Sequence, residues 1–303
     1  MIRAVRGVSF KVFSGDTLCI VGESGSGKST LISALALSLP PNAVIERGDI
    51  IYLGIDLLRS KREIIEKIRG REIIMIFQDP VSVFSPLHTV GEHLLDLAKN
   101  LRGFRNKEEA LKYILDVFTK LRLPDPFRIL RSYPHELSGG MLQRVALASV
   151  LIAKPKILLA DEPTTMLDAT IQLQILRLLK DLVNNENLTL IMVTHNFGVA
   201  REICKKTFVM YAGIVLEEGY TEDVIKRPLH PYTQSLIKAI PRTTHHIGRI
   251  RHIPGEPPDL RKTFEGCPFV ERCEYMDEKC KTWRELVNVG NRKVYCKLYG
   301  GLG

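Results

Sequence analysis

The nine residues from Gly22 to Thr30 constrain the fold of this chain more than any other stretch. Gly22, Glu23, Ser24, Gly25, Ser26, Gly27, Lys28, Ser29 and Thr30 match the phosphate-loop pattern G-x-x-x-x-G-K-[ST]. An apolar strand precedes this loop, and an apolar helix is expected from Lys28 to about Leu39. Glycines let the backbone form a nest of N–H donors, and the helix points its positive end at the same place. We therefore expect phosphate to bind here, with Lys28 reaching the β- and γ-phosphates and the Ser29 hydroxyl holding Mg²⁺.

A second feature is a pair of acids that follows an apolar strand. Residues 157–160 read Ile-Leu-Leu-Ala, and Asp161 and Glu162 come directly after them. At the carboxyl edge of a parallel sheet such side chains emerge beside a phosphate loop. Asp161 is then expected to bind Mg²⁺ through water, and Glu162 to polarise or deprotonate an attacking water. Taken alone, two adjacent acids could simply mark the end of a strand.

The segment around Ser138 carries a family resemblance. It reads Leu-Ser-Gly-Gly-Met over residues 137–141, and Gln143 and Arg144 follow. This segment resembles the signature motif of the ABC-type ATPases. The order of motifs along the chain also matches that family: phosphate loop, Gln78, signature, Asp161 with Glu162, Asp168 and His195. The resemblance covers roughly residues 4 to 225 and implies an ATPase that uses ATP and Mg²⁺.

The resemblance also implies roles for these residues. Ser138, Gly139 and Gly140 would bind the γ-phosphate of an ATP held by the opposite subunit, although Ser138 alone could be an ordinary helix cap. Gln78 would touch Mg²⁺ and sense a membrane partner. His195 would contact the γ-phosphate and orient the water, and Asp168 would take part in the shared ATP site. In isolation, a loop glutamine or a histidine at a strand end is usually a solvated surface group.

These patterns predict an α/β fold with a C-terminal appendage. We expect a phosphate-loop nucleotide-binding domain with a central, mostly parallel sheet over residues 1–228. A helix-periodic, charged stretch without strand signals predicts an inserted helical subdomain at about residues 85–155. Beyond residue 228 prolines and then cysteines accumulate, which indicates a small C-terminal extension over residues 229–303.

The extension itself resembles the oligopeptide, dipeptide and nickel importers of the same family. Three stretches carry this resemblance: His-Pro-Tyr-Thr-Gln-Ser-Leu at 230–236, Ile-Pro-Gly-Glu-Pro-Pro at 253–258, and Gly-Cys-Pro-Phe at 266–269 continuing to Arg272 and Cys273. It implies a subunit that couples ATP hydrolysis to import, with di- or oligopeptides as the first expectation. Sugar or nickel import is the alternative, and a soluble ABC ATPase outside transport is another class.

Four of the six cysteines lie in this extension, at positions 267, 273, 280 and 296. Four thiols in a short segment with little core of its own suggest a metal staple. By resemblance, Cys267, Cys273, Cys280 and Cys296 would ligate a [4Fe–4S] cluster. Zinc and unligated or disulfide-bonded thiols stay open, since the gaps are wider than the usual zinc spacing. Cys19 and Cys204 lie in apolar contexts and are expected to be buried as small hydrophobes.

Composition and charge limit the kinds of partner that we expect for this chain. The net charge is +9, but no block of five or six like charges appears, so nucleic acid is not an expected partner. No apolar run reaches the length of a membrane span or resembles a signal peptide, which favours a cytoplasmic location. The resemblance implies a peripheral subunit on the cytoplasmic face of the cell membrane. Its partners would be a second ABC ATPase subunit, identical or homologous, two permease subunits and an extracellular substrate-binding protein.

Overall fold

The polypeptide forms two compact units. The computed structural model describes residues 2–165, 167–240 and 253–301. The first unit contains residues 1–12, 17–31 and 193–303, and the second contains residues 13–16 and 32–192. The expected domain boundary after residue 228 lies inside the first unit and stays a prediction.

Ten strands and ten α-helices occur in the described residues. The strands are β1 Thr17–Val21, β2 Ile51–Tyr52, β3 Ile55–Asp56, β4 Ile73–Ile76, β5 Ile157–Asp161, β6 Thr189–Thr194, β7 Lys206–Tyr211, β8 Ile214–Tyr220, β9 Val287–Val289 and β10 Arg292–Val294. The helices are α1 Lys28–Leu35, α2 Arg62–Ile68, α3 Val90–Arg102, α4 Lys107–Lys120, α5 Pro126–Arg131, α6 Gly139–Ala153, α7 Ala169–Glu186, α8 Phe197–Ile203, α9 Thr221–Lys226 and α10 Pro231–Lys238. Short 3-10 turns span Pro80–Val83, Pro134–Glu136, Val270–Arg272, Glu278–Lys281 and Lys297–Tyr299.

In the second unit, parallel strands form the centre. β4 pairs in parallel with β5, and β6 lies beside β5 on the other side. Every residue of β6 is buried, as the apolar run Leu-Ile-Met-Val at its centre predicts for a strand covered on both faces. Helix α3 packs against α4, α5 and α6, and this cluster corresponds to the helix-rich stretch expected at residues 85–155.

In the first unit, β1 is wholly buried and pairs in parallel with β7. β7 then turns back at Ala212 and Gly213 into the antiparallel β8, and both turn residues have positive φ. The antiparallel β10 and β9 continue this sheet beyond β8. The expected α/β fold with a mostly parallel central sheet is confirmed.

Side-chain caps determine where several helices begin. Thr89 caps α3 in a capping box with Glu92, and Gly103 ends that helix in the left-handed conformation. Helix α1 ends at Leu35, shorter than the expected limit of Leu39, because Leu37 adopts a positive φ before two prolines.

Cys19 and Cys204 in the first unit form a disulfide, whereas their apolar sequence contexts predict only two buried cysteines. Cys19 on β1 and Cys204 after α8 are both buried, as expected. Their Cα atoms lie 5.7 Å apart, and the two sulfurs form a disulfide. The pairing joins residues 185 positions apart, which an apolar local context does not indicate.

Candidate functional site

The phosphate loop in the first unit is shaped by glycines that no other residue could replace without strain. Gly25 and Gly27 have φ values of 78° and 97°. A Cβ on Gly22 would lie 2.1 Å from the backbone oxygen of Met210, and a Cβ on Gly27 would lie 2.1 Å from that of Ala4. The loop is therefore packed against neighbouring backbone at Gly22 and at Gly27.

Lys28 closes this loop from the start of α1. Its Nζ donates to the carbonyl oxygens of Gly22 and Glu23, each at 2.8 Å, and to Ser26 Oγ at 3.3 Å. The residue is only 5% exposed. The ammonium group is thus held inside the loop, where the sequence pattern predicts that it meets phosphate oxygens.

His195 also belongs to the first unit and follows the last residue of β6. The preceding Thr194 is buried, whereas His195 is exposed. Thr194 Oγ1 accepts the backbone N–H of Asn196 at 3.1 Å, and the Asn196 side chain caps α8. These contacts turn the chain sharply after the strand and present the imidazole at the strand end.

The second unit brings Gln78 and the two acids to one sheet edge. In the parallel pair β4–β5, Ile76 is the register partner of Ala160. Gln78 follows Ile76 by two residues, and Glu162 follows Ala160 by two residues, so both chains leave the same carboxyl edge. This register is consistent with the expectation that Gln78, Asp161 and Glu162 lie near one another.

Glu162 has an unusual backbone. Its φ is 45°, in the left-handed region that a non-glycine residue seldom adopts. Its carboxylate accepts from Thr165 Oγ1 at 2.9 Å. Such backbone strain is concentrated at functional sites, where the surrounding structure holds it.

The signature segment forms the exposed start of α6. Ser138 caps this helix, and its Oγ accepts from the N–H of Met141 at 3.4 Å. A Cβ added to Gly139 would point into open space, with nothing within 4 Å, and Ser138 is likewise exposed. The first-turn N–H groups and the helix dipole therefore face open space, an arrangement suited to an anion.

Asp168 also caps a helix, a role that its position in the sequence did not indicate. Its Oδ1 accepts from the N–H groups of Thr170 and Ile171, both at 3.0 Å, and so caps α7. Ile171 in turn packs on the signature helix, since a Cβ on Gly140 would lie 3.0 Å from Ile171 Cγ2. The cap of α7 and the start of α6 thus belong to one packed group in the second unit.

The four cysteines of the extension line one small cavity in the first unit, together with His230 and Trp283. None of the four is in a disulfide. Burial raises the pKa of the Cys267 thiol to about 12 and that of Cys296 to about 11, and it also raises the pKa of Cys273. Ligation would require these thiols to release their protons to solvent as the metal binds the thiolates.

His230 stands beside this cavity as a neutral group. Burial lowers its pKa to about 3. Its Nδ1 accepts from the N–H of Tyr232 at 3.0 Å, which leaves the proton on Nε2, 3.8 Å from Cys267 Sγ. The sequence motif at 230–236 thereby supplies both a cap for α10 and part of the cavity wall.

Sequence reasoning missed two residues that contact the phosphate loop. Arg272 and Tyr232 both reach Glu23. Both stand in stretches that carry the resemblance to importers, but no spacing rule connects either position to the loop. Only the tertiary contacts reveal them.

Comparison with known proteins assigns the chain to a family. The model of the ABC transporter family matches residues 5–165, which contain the phosphate loop, Gln78, the signature and both acids. The chain belongs to the ABC transporter family. It is an ATP-binding and ATP-hydrolysing subunit of that family.

Relatives and solved structures agree with this assignment. This ABC ATPase is 43% identical over 281 residues to a probable peptide ABC transporter ATP-binding protein of Sinorhizobium fredii, covering 92% of this chain and 84% of the relative. It is 41% identical over 294 residues to the oligopeptide transport ATP-binding protein OppD of Haemophilus influenzae, covering 97% and 90%. A solved dimeric ATP-binding cassette in a post-hydrolysis state with ADP and Pi matches with a TM-score of 0.64 and 32% identity, over 73% of this chain and 91% of that one.

The C-terminal region of the ABC ATPase has a match of its own. The model described as the oligopeptide/dipeptide transporter C-terminal region matches residues 216–280, which include three of the four cysteines. Among the residues that the structure describes, no three His, Cys, Asp or Glu side chains form a group that could hold a metal ion. No helix in those residues is long and apolar enough to cross a membrane.

Proposed function

We propose that this ABC ATPase powers the import of di- or oligopeptides through a membrane permease. The observation that carries this proposal is the match of residues 216–280 to the C-terminal region of oligopeptide and dipeptide transporters. Relatives named for peptide, dipeptide and oligopeptide transport support it. Sugar or nickel cargo is the alternative for the same machinery.

Within the catalytic site, each predicted residue has a proposed role. The loop from Gly22 to Thr30 binds the phosphates of ATP. Ser29, Gln78 and Asp161 supply hydroxyl, amide and carboxylate oxygens, the donors that Mg²⁺ prefers. Bound Mg²⁺ would neutralise charge on the transferred phosphoryl group. Glu162 accepts a proton from the attacking water, and His195 orients that water.

The site is completed by a second ABC ATPase subunit, identical or homologous to this chain. Ser138, Gly139 and Gly140 offer an exposed helix start, and Asp168 anchors the neighbouring helix. We propose that these residues act on the ATP bound by the partner subunit. The dimeric state of a similar solved cassette supports this arrangement.

The surface after β4 suits a permease. A groove of about 220 Å³ in the second unit is lined by Ile74, Ile76, Phe84 and Leu97, among others. Close to Gln78 along the chain, Phe77 and Val81 are 41% and 49% exposed. We propose that a helical segment of a permease subunit docks here, which places the ABC ATPase peripherally on the cytoplasmic face of the cell membrane. An extracellular substrate-binding protein would deliver the cargo.

The four cysteines are proposed to hold a [4Fe–4S] cluster. All four line one cavity, and the set of four thiols matches the ligands of such a cluster. The gaps between the four cysteines are wider than in the usual zinc sites, which favours iron–sulfur over zinc. The cluster would staple together an extension that has a small core of its own.

A pair of variants tests the catalytic part of the proposal. Glu162→Gln is expected to lower ATP hydrolysis by about 10²–10⁴-fold while ATP still binds. Glu109→Gln, on the exposed face of α4, is the matched control and should hydrolyse normally. Hydrolysis by Glu162→Gln at the control's rate would refute the role of Glu162.

Purification tests the transport assignment and the cluster. Tagged ABC ATPase should co-purify with two hydrophobic permease subunits, and vesicles containing that complex should take up a labelled peptide in an ATP-dependent manner. Uptake of sugar or nickel instead would overturn the cargo assignment.

Anaerobically purified protein should absorb near 400 nm and contain iron and sulfide. A colourless protein with one zinc per chain would reject the cluster.

A further inference from the structure

Arg272 and Tyr232 of the C-terminal extension both bind Glu23, the second residue of the phosphate loop. We call these two residues the clamp. The guanidinium of Arg272 donates to both carboxylate oxygens of Glu23, with Nη1–Oε2 at 2.7 Å and Nη2–Oε1 at 3.1 Å. The backbone N–H of Glu23 donates to Tyr232 Oη at 2.8 Å. Both the side chain and the backbone of Glu23 are therefore held by residues that lie more than 200 positions further along the chain.

Glu23 also takes part in the inner bonding of the loop. Its carbonyl oxygen accepts from Lys28 Nζ at 2.8 Å and from the N–H of Ser26 at 3.2 Å. A displacement of Glu23 would consequently move the acceptor that orients the Lys28 ammonium. The clamp thus acts on the group expected to meet the β- and γ-phosphates.

Arg272 is itself fixed in position by several contacts. Its side chain is 5% exposed. Nε donates to the Pro254 carbonyl at 2.8 Å, and Nη1 also donates to Tyr211 Oη at 3.1 Å. The guanidinium lies 5.7 Å from the Tyr211 ring centroid and 5.8 Å from that of Phe269. Because these contacts fix its orientation, the guanidinium is pre-organised to bind both oxygens of a carboxylate.

The clamp is built on the wall of the cysteine cavity. Arg272 directly precedes Cys273, and Tyr232 follows His230 by two residues. Cys273 and His230 both line the cavity. Phe269, which is 1% exposed, packs its ring against Tyr232 with centroids 5.2 Å apart. The cavity wall and the phosphate-loop contacts are therefore parts of one packed cluster.

We propose that Arg272 and Tyr232 are positioning residues for the phosphate loop, through which the four-cysteine segment sets the affinity of this ABC ATPase for nucleotide. The inference rests on the proposed phosphate-binding role of the loop. It assigns to the extension a function in the ATP site in addition to that of a staple.

The decisive measurement is the equilibrium affinity for ADP in the presence of Mg²⁺, followed by the kinetics of ATP hydrolysis. Arg272→Met is expected to weaken ADP binding about tenfold, because a charge-assisted, bidentate contact is lost. KM for ATP should rise by a similar factor with kcat per folded chain nearly unchanged, the pattern of lost uniform binding. Arg272→Lys should recover part of the affinity, since it keeps the charge but not the fork.

Arg261→Met is the matched control. Arg261 also forms a bidentate pair, with Asp259, in the same extension, but its side chain is 74% exposed and its described bonds do not involve the loop. Its variant should bind ADP like the wild type. Melting temperature and iron content, measured for every variant, separate a folding defect from a change in affinity.

Three further variants keep the test decisive. If Arg272→Met does not fold, Glu23→Gln removes the same pair from the loop side and should weaken ADP binding comparably. Where both fold, the double variant should lose no more affinity than either single one, because the two residues act as a unit. Cys273→Ser should also weaken ADP binding if the cysteine segment supports the clamp.

The outcomes are distinguishable. Failure of the wild type to bind ADP would reject the nucleotide-binding role of the loop itself. Wild-type binding with unchanged affinity in Arg272→Met, or a fall in kcat with KM unchanged, would overturn the clamp alone.

Discussion

Arg292 and Glu217 form an ion pair that is almost completely removed from solvent. Nη1 of Arg292 lies 3.5 Å from Oε1 of Glu217, and the two side chains are 9% and 0% exposed. Arg292 also donates to the carbonyl oxygens of Asp223 and Arg227, and Glu217 accepts the N–H of Leu229 at 3.0 Å. The pair joins β10 of the extension to β8 and to the start of the segment that carries His230.

The first prediction concerns this pair. Arg292→Met should lower the free energy of unfolding by about 3–5 kcal/mol, because it leaves a buried carboxylate without its cation. The neighbouring Lys293 pairs with Glu218 on the same two strands but is 48% exposed, so Lys293→Met should cost less than about 1 kcal/mol. Denaturant titration of both variants measures the difference. Equal stabilities would show that Arg292 does not neutralise a buried charge.

The second prediction compares two glycines of the phosphate loop. Gly25→Ala should cost about 1–2 kcal/mol from its positive φ alone, because nothing lies within 4 Å of the added Cβ. Gly27→Ala should cost about 1–3 kcal/mol more, because its Cβ would collide with the Ala4 backbone oxygen. Thermal unfolding with and without ADP reports both stability and binding. A Gly27 variant as stable as the Gly25 variant would contradict the packing described.

The third prediction separates a helix cap from a phosphate-binding group. Ser138→Ala and Thr89→Ala each remove a side-chain cap, from α6 and α3, and should each cost about 1 kcal/mol of stability. Only Ser138→Ala should lower the kcat of the assembled transporter, by about a hundredfold, if its hydroxyl acts on the partner's ATP. ATPase assays on the complex provide the measurement. Equal rates for the two variants would assign Ser138 to capping alone.

The fourth prediction concerns alkaline pH. Burial and the neighbouring Glu72, 3.2 Å from its hydroxyl, raise the pKa of Tyr52 to about 12 from the ordinary value of 10. The folded state therefore keeps a proton that the unfolded chain loses, and this contribution to stability falls as pH rises from about 10 through 12. Tyr52→Phe should lose less stability than the wild type over that interval. The exposed Tyr220→Phe is the control and should follow the wild type.

The Tyr52 comparison needs equilibrium unfolding at pH 9 and pH 11 on all three proteins. Comparing variants cancels the titration of lysines and other groups they share. If Tyr52→Phe and the wild type lose the same free energy between these pH values, the environment inferred for Tyr52 is wrong.

Much of the catalytic machinery is local in the chain and could be predicted from it. The phosphate loop requires only a strand, glycines at set positions and a helix start, all within about fifteen residues of sequence. Ser138 before two glycines predicts the start of α6, which the structure confirms. The apolar run that ends in Asp161 likewise predicts β5 and its carboxyl edge.

Other features involve residues that are distant in sequence, and only the tertiary structure decided them. The disulfide of Cys19 with Cys204 spans 185 positions, and the Arg272–Glu23 pair spans 249. Short patterns describe backbone conformation and periodic burial, because those depend on neighbouring residues. Which cation reaches which carboxylate depends on how strands and extension pack. The sequence alone thus determined a phosphate-binding ATPase fold, and packing decided that its phosphate loop is held by the cysteine-bearing extension.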